Sequence, residues 1–457
     1  MGAGLERQNP VTDKESDGQD ATGPLCLAWA SSAMQGWRLG MEDAHICLPA
    51  MPRSSALFGV LDGHGGEQVA KFCERHLPEA IMDEWQRRVP KTATQTEATQ
   101  ELESALIAAF HKMDDMLREP RRAAELRSLT NPPSRRADSS MPPFSSDRNV
   151  DPHNVGCTAC VCCITENQIV VANAGDSRAV LCRNGKAQPL SQDHKPNDDR
   201  EKHRIQAAGG YVEQTAPGQF RVNGNLNLSR ALGDLEYKKD RKRKPEEQII
   251  CGTPDVYFFD RDTEADEFLV ICCDGIWDVK TNQEVVDFLR ERLPKPDDPV
   301  DPEDMKLALE QLMDSCVSPD LRKTMGLGGD NMTAVIVMLR SAPKILHTRL
   351  LADDGRTETL SEVADAKTGW LEVDVALPGQ KSVLDISAGL SEDSAQLEVV
   401  FATKTGSGGH TSQEFVSRVF DLQSKLPEGA VFRLSKEPAR LTSSGKLRIS
   451  IPWKLKA

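Results

Sequence analysis

The chain has 457 residues, 39% hydrophobic and 28% charged, the balance of a soluble globular protein with about two or three domains. Its net charge of −14 argues against general nucleic-acid binding, which needs a basic face. No apolar run approaches the roughly 18 residues that cross a bilayer, and the N-terminal MGAGLERQNP lacks the apolar core of a secretory signal.

Residues 1–22 are polar and are expected as a flexible N-terminus. The run ALFGVLD at 56–62 predicts a buried strand, and helical spacing follows over 65–89 and 101–118. Residues 119–154, rich in Pro, Ser and Arg, read as a mobile loop. Strands are predicted at 157–165, 168–174 and 178–183, closed by turn signals at Glu166-Asn167 and Asn184-Gly185. A helix over 199–208 stops at Gly209-Gly210. The stretch 236–248 reads as a solvated charged flap. Strands return at 255–259 and 267–273, helices at 281–292 and 302–315, and a strand at 332–339. Strand runs flanked by helices predict an α+β unit over 23–342, with two packed sheets and helices outside. After 342 the pattern changes to period two, with Leu371, Val373, Val375 and Leu377, then Leu447, Ile449 and Ile451. The expectation is a linker over 343–367 and a small all-β sandwich over 368–457.

Four segments share one feature: an apolar strand meets an aspartate beside a glycine. They are GVLDG at Asp62, VANAGDS at Asp176, VICCDG at Asp274, and GGDN at Asp330 ahead of TAVIVML. Strand ends deliver side chains to a sheet rim, where glycine permits close backbone approach. One Asp-Gly is ordinarily a turn. Four, with the Glu42-Asp43 pair, predict carboxylates converging in one cleft. Like charges held so close need a cation, and hard oxygen donors select Mg2+ or Mn2+.

The ordered motifs QGWRLGMEDAH, FGVLDGHGG, GCTA, VANAGDSRAVL, QDHKP, NGNLNLSRALGD, TPDV, CCDGIWDV and GGDNMTAVIV resemble the type 2C metal-dependent protein serine/threonine phosphatases over about residues 28–340. The resemblance implies a four-layer αββα sandwich, monomeric in its catalytic domain. It implies hydrolysis of phosphoserine and phosphothreonine in phosphoproteins by a hydroxide on a pair of metals, with no phosphoenzyme. Carried over residue by residue, it makes Asp62 the bridge between two ions. The Gly63 carbonyl completes one site, Asp274 and Asp330 hold the other, and Glu42 acts through water with Asp43 beside it. Asp176 and Asp278 match a weaker third site. Arg38 matches the phosphate-gripping residue and His64 the general acid. Thr158, Arg230 and Asn331 match supporting positions.

Other readings carry less. A scaffold that kept the fold and lost the chemistry would show a broken metal set, yet Asp62, Asp274 and Asp330 are all present. The C-x5-R spacing of cysteine phosphatases occurs at Cys47/Arg53 and Cys316/Arg322, without a glycine-rich phosphate loop. Cys157, Cys160 and Cys163 have a zinc-like spacing, but no second pair follows, and core packing is expected. Several of the twelve cysteines sit in apolar runs, so a reducing compartment is expected, cytoplasmic, nuclear or both. The basic cluster Lys238, Lys239, Arg241, Lys242, Arg243 and Lys244 reads as part of the solvated flap. A nuclear signal or a patch for anionic substrates is the alternative. Gly2 raises N-myristoylation and with it membrane association, although Glu6 replaces the usual Ser or Thr. Residues 368–457, with VDVALPG, an acidic alternating middle and RISIPWK, resemble the CS/α-crystallin-type β-sandwich. That resemblance implies a partner, a chaperone or its client.

Overall fold

The computed structural model describes residues 9–22, 25, 27–90, 93, 95–129, 154–216, 218–262, 265–294 and 301–339, and beyond these the strands between 345 and 455. Gly2 and positions 130–153 of the Pro- and Arg-rich stretch lie outside the described residues. The chain divides into two compact units, the larger built mainly from residues before 340 and the smaller mainly from 340–457.

Two large sheets form the core of the larger unit. In the first, strands Val11–Thr22, Leu27–Gly36, Met332–Met338, Asp266–Cys272, Arg178–Arg183 and Lys186–Pro189 lie side by side in that order. In the second the order is Asp255–Asp260, Gln168–Ala174, Ala159–Ile164, Ser55–Leu61 and Ala44–Met51. From Leu27–Gly36 onward in the first sheet, and throughout the second, neighbours are antiparallel. The sheets face each other, Met332–Met338 meeting Ser55–Leu61. Helices Gln68–Arg88 and Leu102–Leu117 cover the second sheet, while Asn282–Arg290 and Pro302–Cys316 cover the first. The layers thus run helix, sheet, sheet, helix.

This cover explains the unbroken apolar runs. An antiparallel sheet with one wet face alternates apolar and polar. Here Ser55–Leu61, Ala159–Ile164, Asp266–Cys272 and Met332–Met338 are buried at every position. Leu102–Leu117 buries Leu102, Leu106, Phe110, Met113 and Leu117 along one stripe at helical spacing. Each large side chain of this kind contributes about 1.5–3 kcal/mol on burial. Cys157, Cys160 and Cys163 are fully buried among these apolar groups. Thr281 starts helix Asn282–Arg290 with a capping box: its hydroxyl accepts from the Glu284 N–H, and Glu284 reaches back to the Thr281 N–H.

Four expectations change. Residues 11–22, expected as flexible, form a strand. Its polar sequence suits a sheet edge, where much of the strand meets water. In the expected 119–154 loop, Ala123–Ser128 is helical, with Leu126 buried and Glu125 paired to His76 and Arg122. In the expected solvated flap, Lys238 is buried, its Nζ 2.6 Å from Asp114 and 2.7 Å from the Ala231 carbonyl. Charge density along the chain could not reveal the carboxylate waiting on helix Leu102–Leu117. Lys239, Arg241, Lys242 and Lys244 are exposed, as expected. The expected 343–367 linker contains strands Ile345–Ala352 and Thr357–Glu358.

In the smaller unit, Ile345–Ala352 pairs with Thr368–Val375, which pairs with Leu447–Leu455, all antiparallel. The period-two residues meet in register: Leu371 faces Ile451, Val373 faces Ile449 and Val375 faces Leu447. Strands Val383–Leu390, Gln396–Thr405 and Ser412–Asp421 form a second antiparallel sheet. No described helix is long and apolar enough to cross a membrane.

Candidate active site

Strand register brings the predicted acids to one rim. Strand Ser55–Leu61 runs into Asp62, and its neighbour Ala44–Met51 begins just after Asp43, with Ala44 opposite Leu61. Strand Ala159–Ile164 starts at the same end, with Val60 opposite Cys160, so Thr158 stands beside Asp62. Gln168–Ala174 ends there too and leads to Asp176. In the first sheet Cys272 lies opposite Ala334. The exit from one strand toward Asp274 therefore adjoins the entry from Asp330 into the other. Met34 opposite Met332 puts the turn carrying Arg38 at that rim as well. Asp43 ties the two sheets together, accepting from the Thr333 hydroxyl at 2.7 Å.

The acids are held under electrostatic pressure. Burial, then the charges of Asp43, Asp274, Asp330 and Asp176, push the Asp62 carboxyl well above its ordinary range. Burial, then Asp176, Asp330 and Asp278, do the same to Asp274. Asp43 is pushed up to about 7, chiefly by burial. Among the described residues no three acidic, histidine or cysteine side chains close into a ready-made cation cage. Basic side chains partly discharge the cluster instead: Arg38 pairs with Asp330, and Lys195 Nζ lies 2.6 Å from Asp176. The donors fit a hard divalent cation in kind, all oxygens on mutually repelling groups that a cation would relieve. At Gly63 a side chain is excluded, since a Cβ would fall 2.1 Å from the Glu42 carbonyl oxygen. Asp278 is exposed, one residue past the short helix Asp274–Trp277.

The supporting residues separate into distinct jobs. Asn331 is buried and holds the turn that bears Arg38. Its Oδ1 accepts from the Glu42 N–H at 2.9 Å, and its Nδ2 donates to the carbonyls of Gln35 at 2.7 Å and Gly40 at 3.0 Å. Thr158 pins Asp62, its Oγ1 accepting from the Asp62 N–H and its own N–H donating to the Asp62 carbonyl. Arg230 does not reach out to the rim. All its guanidinium nitrogens are taken by Glu201, Asp255 and the Thr253 carbonyl, which hold helix Asp199–Ala207 to strand Asp255–Asp260.

His64 sits at the edge of a small ladder in which Gly63–His64 pairs with Gly156–Cys157, itself paired with Leu232–Gly233. His64 Nε2 is 2.7 Å from Asp234 Oδ2, and Nδ1 is buried with no partner. Burial opposes the charged ring, but Asp234 and, further off, Glu42 and Asp176 outweigh it and raise its pKa. Asp234, Lys195 and Thr333 were missed from sequence. All three lie inside quoted motifs, SRALGD, QDHKP and GGDNMTAVIV, but only folding discloses what they touch.

A family model described as "Protein phosphatase 2C" matches residues 27–325. The chain belongs to the protein phosphatase 2C family. It is 40% identical over 360 residues to "Protein phosphatase 2C homolog 2" of Schizosaccharomyces pombe, covering 77% of this chain and 80% of the relative. It is 38% identical to "Probable protein phosphatase 2C 11" of Oryza sativa, covering 74% and 91%. Among solved structures, the serine-threonine phosphatase 2C from Toxoplasma gondii superposes with a TM-score of 0.52 at 19% identity, covering 71% of this chain and 99% of that one, a likeness of fold. As a member of protein phosphatase 2C, the chain is a protein serine/threonine phosphatase. Its substrates are phosphoproteins, and its family depends on Mg2+ or Mn2+.

Proposed function

We propose that the rim described above is the catalytic centre and that it hydrolyses phosphoserine and phosphothreonine esters directly. The observation that carries the reading is the convergence of Asp62, Asp274, Asp330 and Asp43 from both sheets, the first two pushed up by burial and then by the charges of their neighbours. Asp62, the Gly63 carbonyl, Asp274 and Asp330 would hold two divalent ions, with Glu42 and Asp43 contributing through water and Asp176 and Asp278 serving a weaker third. When bound, such ions lower the pKa of water and draw charge from phosphoryl oxygens. Arg38, exposed at the rim, offers a planar fork matched to a phosphate, and substrate would compete with Asp330 for it. Asn331 keeps that fork in place. His64 supplies a proton to the departing serine or threonine oxygen.

The test is phosphate release from a phosphothreonine peptide. Activity is expected with Mn2+, lost in EDTA and absent in Asp274→Ala. A wild-type protein inactive in Mn2+ overturns the reading.

For residues 368–457 we propose, on sequence motifs alone, a CS/α-crystallin-type β-sandwich that binds a chaperone or client. Pull-down with the full chain and with a chain ending at 342 should differ in the partners recovered. Equal recovery refutes it. We also propose a cytoplasmic or nuclear location, with membrane association if Gly2 is myristoylated. Mass spectrometry finding Met1 retained dismisses the lipid.

A further inference from the structure

Residues 238–244 put six basic side chains into seven positions of a chain whose net charge is −14. The fold holds this segment as a built turn. Lys238 anchors its start, buried against Asp114 and the Ala231 carbonyl. Gln248 closes its end, also buried, with Nε2 donating to the carbonyls of Asp240 at 2.7 Å and Arg243 at 3.2 Å. Between them Asp240 Oδ1 accepts from the Lys242 N–H at 2.9 Å, and the Asp240 carbonyl accepts from the Arg243 N–H at 3.1 Å. Arg243 Nη2 donates to the Ala207 carbonyl at the end of helix Asp199–Ala207. The acids nearby are already engaged. Glu236 pairs with Lys239, Asp240 with Arg243 and Glu246 with Lys244, while Glu247 accepts from the Lys244 N–H. Arg241 and Lys242 are exposed, and among the described residues neither side chain has a carboxylate partner. The turn also starts beside the rim. Asp114, which takes Lys238, accepts from the Gly233 N–H, and the next residue, Asp234, lies 2.7 Å from His64. Lys242 is eight residues past Asp234, so at most about 29 Å of chain separates them, a span that an extended peptide covers in about eight residues.

We propose that Arg241 and Lys242 form a docking point for acidic side chains of the phosphoprotein, aspartates or glutamates within about eight residues of the phosphorylated serine or threonine. The assignment names a substrate class for the catalytic centre proposed above and rests on that reading. Overall charge selects among anions. A membrane surface or a nucleic acid would meet the rest of a −14 chain along with the patch. A short acidic segment meets the patch alone, and a phosphate held at the rim raises that segment's effective concentration there. A transport receptor that reads an extended basic run would find Lys238 buried and Arg243 bonded to helix Asp199–Ala207. Because the turn is fixed by Lys238 and Gln248, little ordering is left for the ligand to impose. Exposed charge pairs are individually weak and are screened by salt, so the device sets preference among substrates and leaves the chemical step alone.

The test uses the full chain in Mn2+ and phosphothreonine peptides with a run of glutamates before or after the phosphothreonine, each set against the same peptide with glutamines. Wild type should show a KM for one acidic peptide about 3- to 10-fold below that of its glutamine counterpart, with similar kcat. About 0.5 M NaCl should shrink the ratio. In Arg241→Gln/Lys242→Gln the ratio should fall to near one, while Arg241→Lys, which keeps the charge, should keep the preference. Equal KM values in wild type, or a preference that survives in the double variant, overturn the docking point and leave the catalytic reading intact. Fluorescence anisotropy of the same peptides on the metal-free protein reads docking without chemistry. If wild type hydrolyses no peptide yet prefers the acidic ones in binding, and the double variant does not, the catalytic reading falls and the docking point stands. If it neither hydrolyses nor prefers, both fall. Wild type that sediments with phosphatidylserine vesicles at physiological salt, where the double variant does not, would make the patch a membrane contact and likewise overturn the proposal.

Discussion

Replacing Asn331 with alanine tests how the turn that bears Arg38, proposed to grip the phosphate, is held. The side chain makes three hydrogen bonds, one from the Glu42 N–H and two to the carbonyls of Gln35 and Gly40, and the residue is 4% exposed. At roughly 1 kcal/mol each, their loss costs about 3 kcal/mol, and more where a freed backbone group stays dry. Part of that cost falls on folding and part on the order of the turn. Urea unfolding of the metal-free protein should register about 2–3 kcal/mol. KM for a phosphopeptide should rise by up to about tenfold, the equivalent of ~1.4 kcal/mol. The kcat should change less, because His64 and the acids remain in place. A variant within about 0.5 kcal/mol of wild type, the scatter expected of a neutral surface change, with unchanged KM refutes this account of Asn331.

Gly156→Ala should lower kcat on phosphothreonine peptides without touching either member of the pair, since the added methyl must part Asp234 from His64. Unchanged kinetics would show that the pair is not needed. Burial works against the Glu201 carboxylate, but the hydrogen bond from Arg230 and the charges of Arg204 and Arg230 outweigh it and hold its pKa at about 2, below the ordinary 4.5. A depressed acid stabilises the fold above its unfolded pKa and loses that contribution as pH falls. Glu201→Gln should therefore be less stable than wild type at pH 7 by thermal melting, with the gap closing between pH 4.5 and about 2. A gap independent of pH would contradict the ion-pair account. Lys238→Met should destabilise by about 3–5 kcal/mol, because it leaves Asp114 buried and unpaired. Lys242→Met, at an exposed position, serves as the neutral control in the same denaturation assay.

Much of the fold was legible because the central strands are buried on both faces. Gln168–Ala174 and Arg178–Arg183 match their sequence prediction to the residue, where turns at both ends marked them. Strands Leu27–Gly36 and Ala44–Met51 were not read. Their apolar residues are interrupted by Ser31, Ser32 and His45, which find polar partners in the fold: the Ser31 hydroxyl is 3.1 Å from His45 Nε2, and Ser32 Oγ accepts from the Ser16 hydroxyl at 3.0 Å. The acids proposed as ligands were legible because a strand end beside a glycine leaves a local signature. Lys195 and Asp234 were not, since their meaning lies in a partner many residues away. Arg230 matched a supporting position in its motif, and the structure engages each of its guanidinium nitrogens elsewhere.

The strand Met332–Met338 fills the middle of the first sheet, between Leu27–Gly36 and Asp266–Cys272, and Asp330 enters with it. It is also the last strand of that sheet to leave the ribosome. Until it slots in, the N-terminal pair of strands has no partner from the later chain, and the cleft lacks both Asp330 and the clamp on the Arg38 turn. If Asp330 serves as proposed, a growing polypeptide gains activity only once its own architecture has closed, and a truncation anywhere upstream of residue 330 is silent.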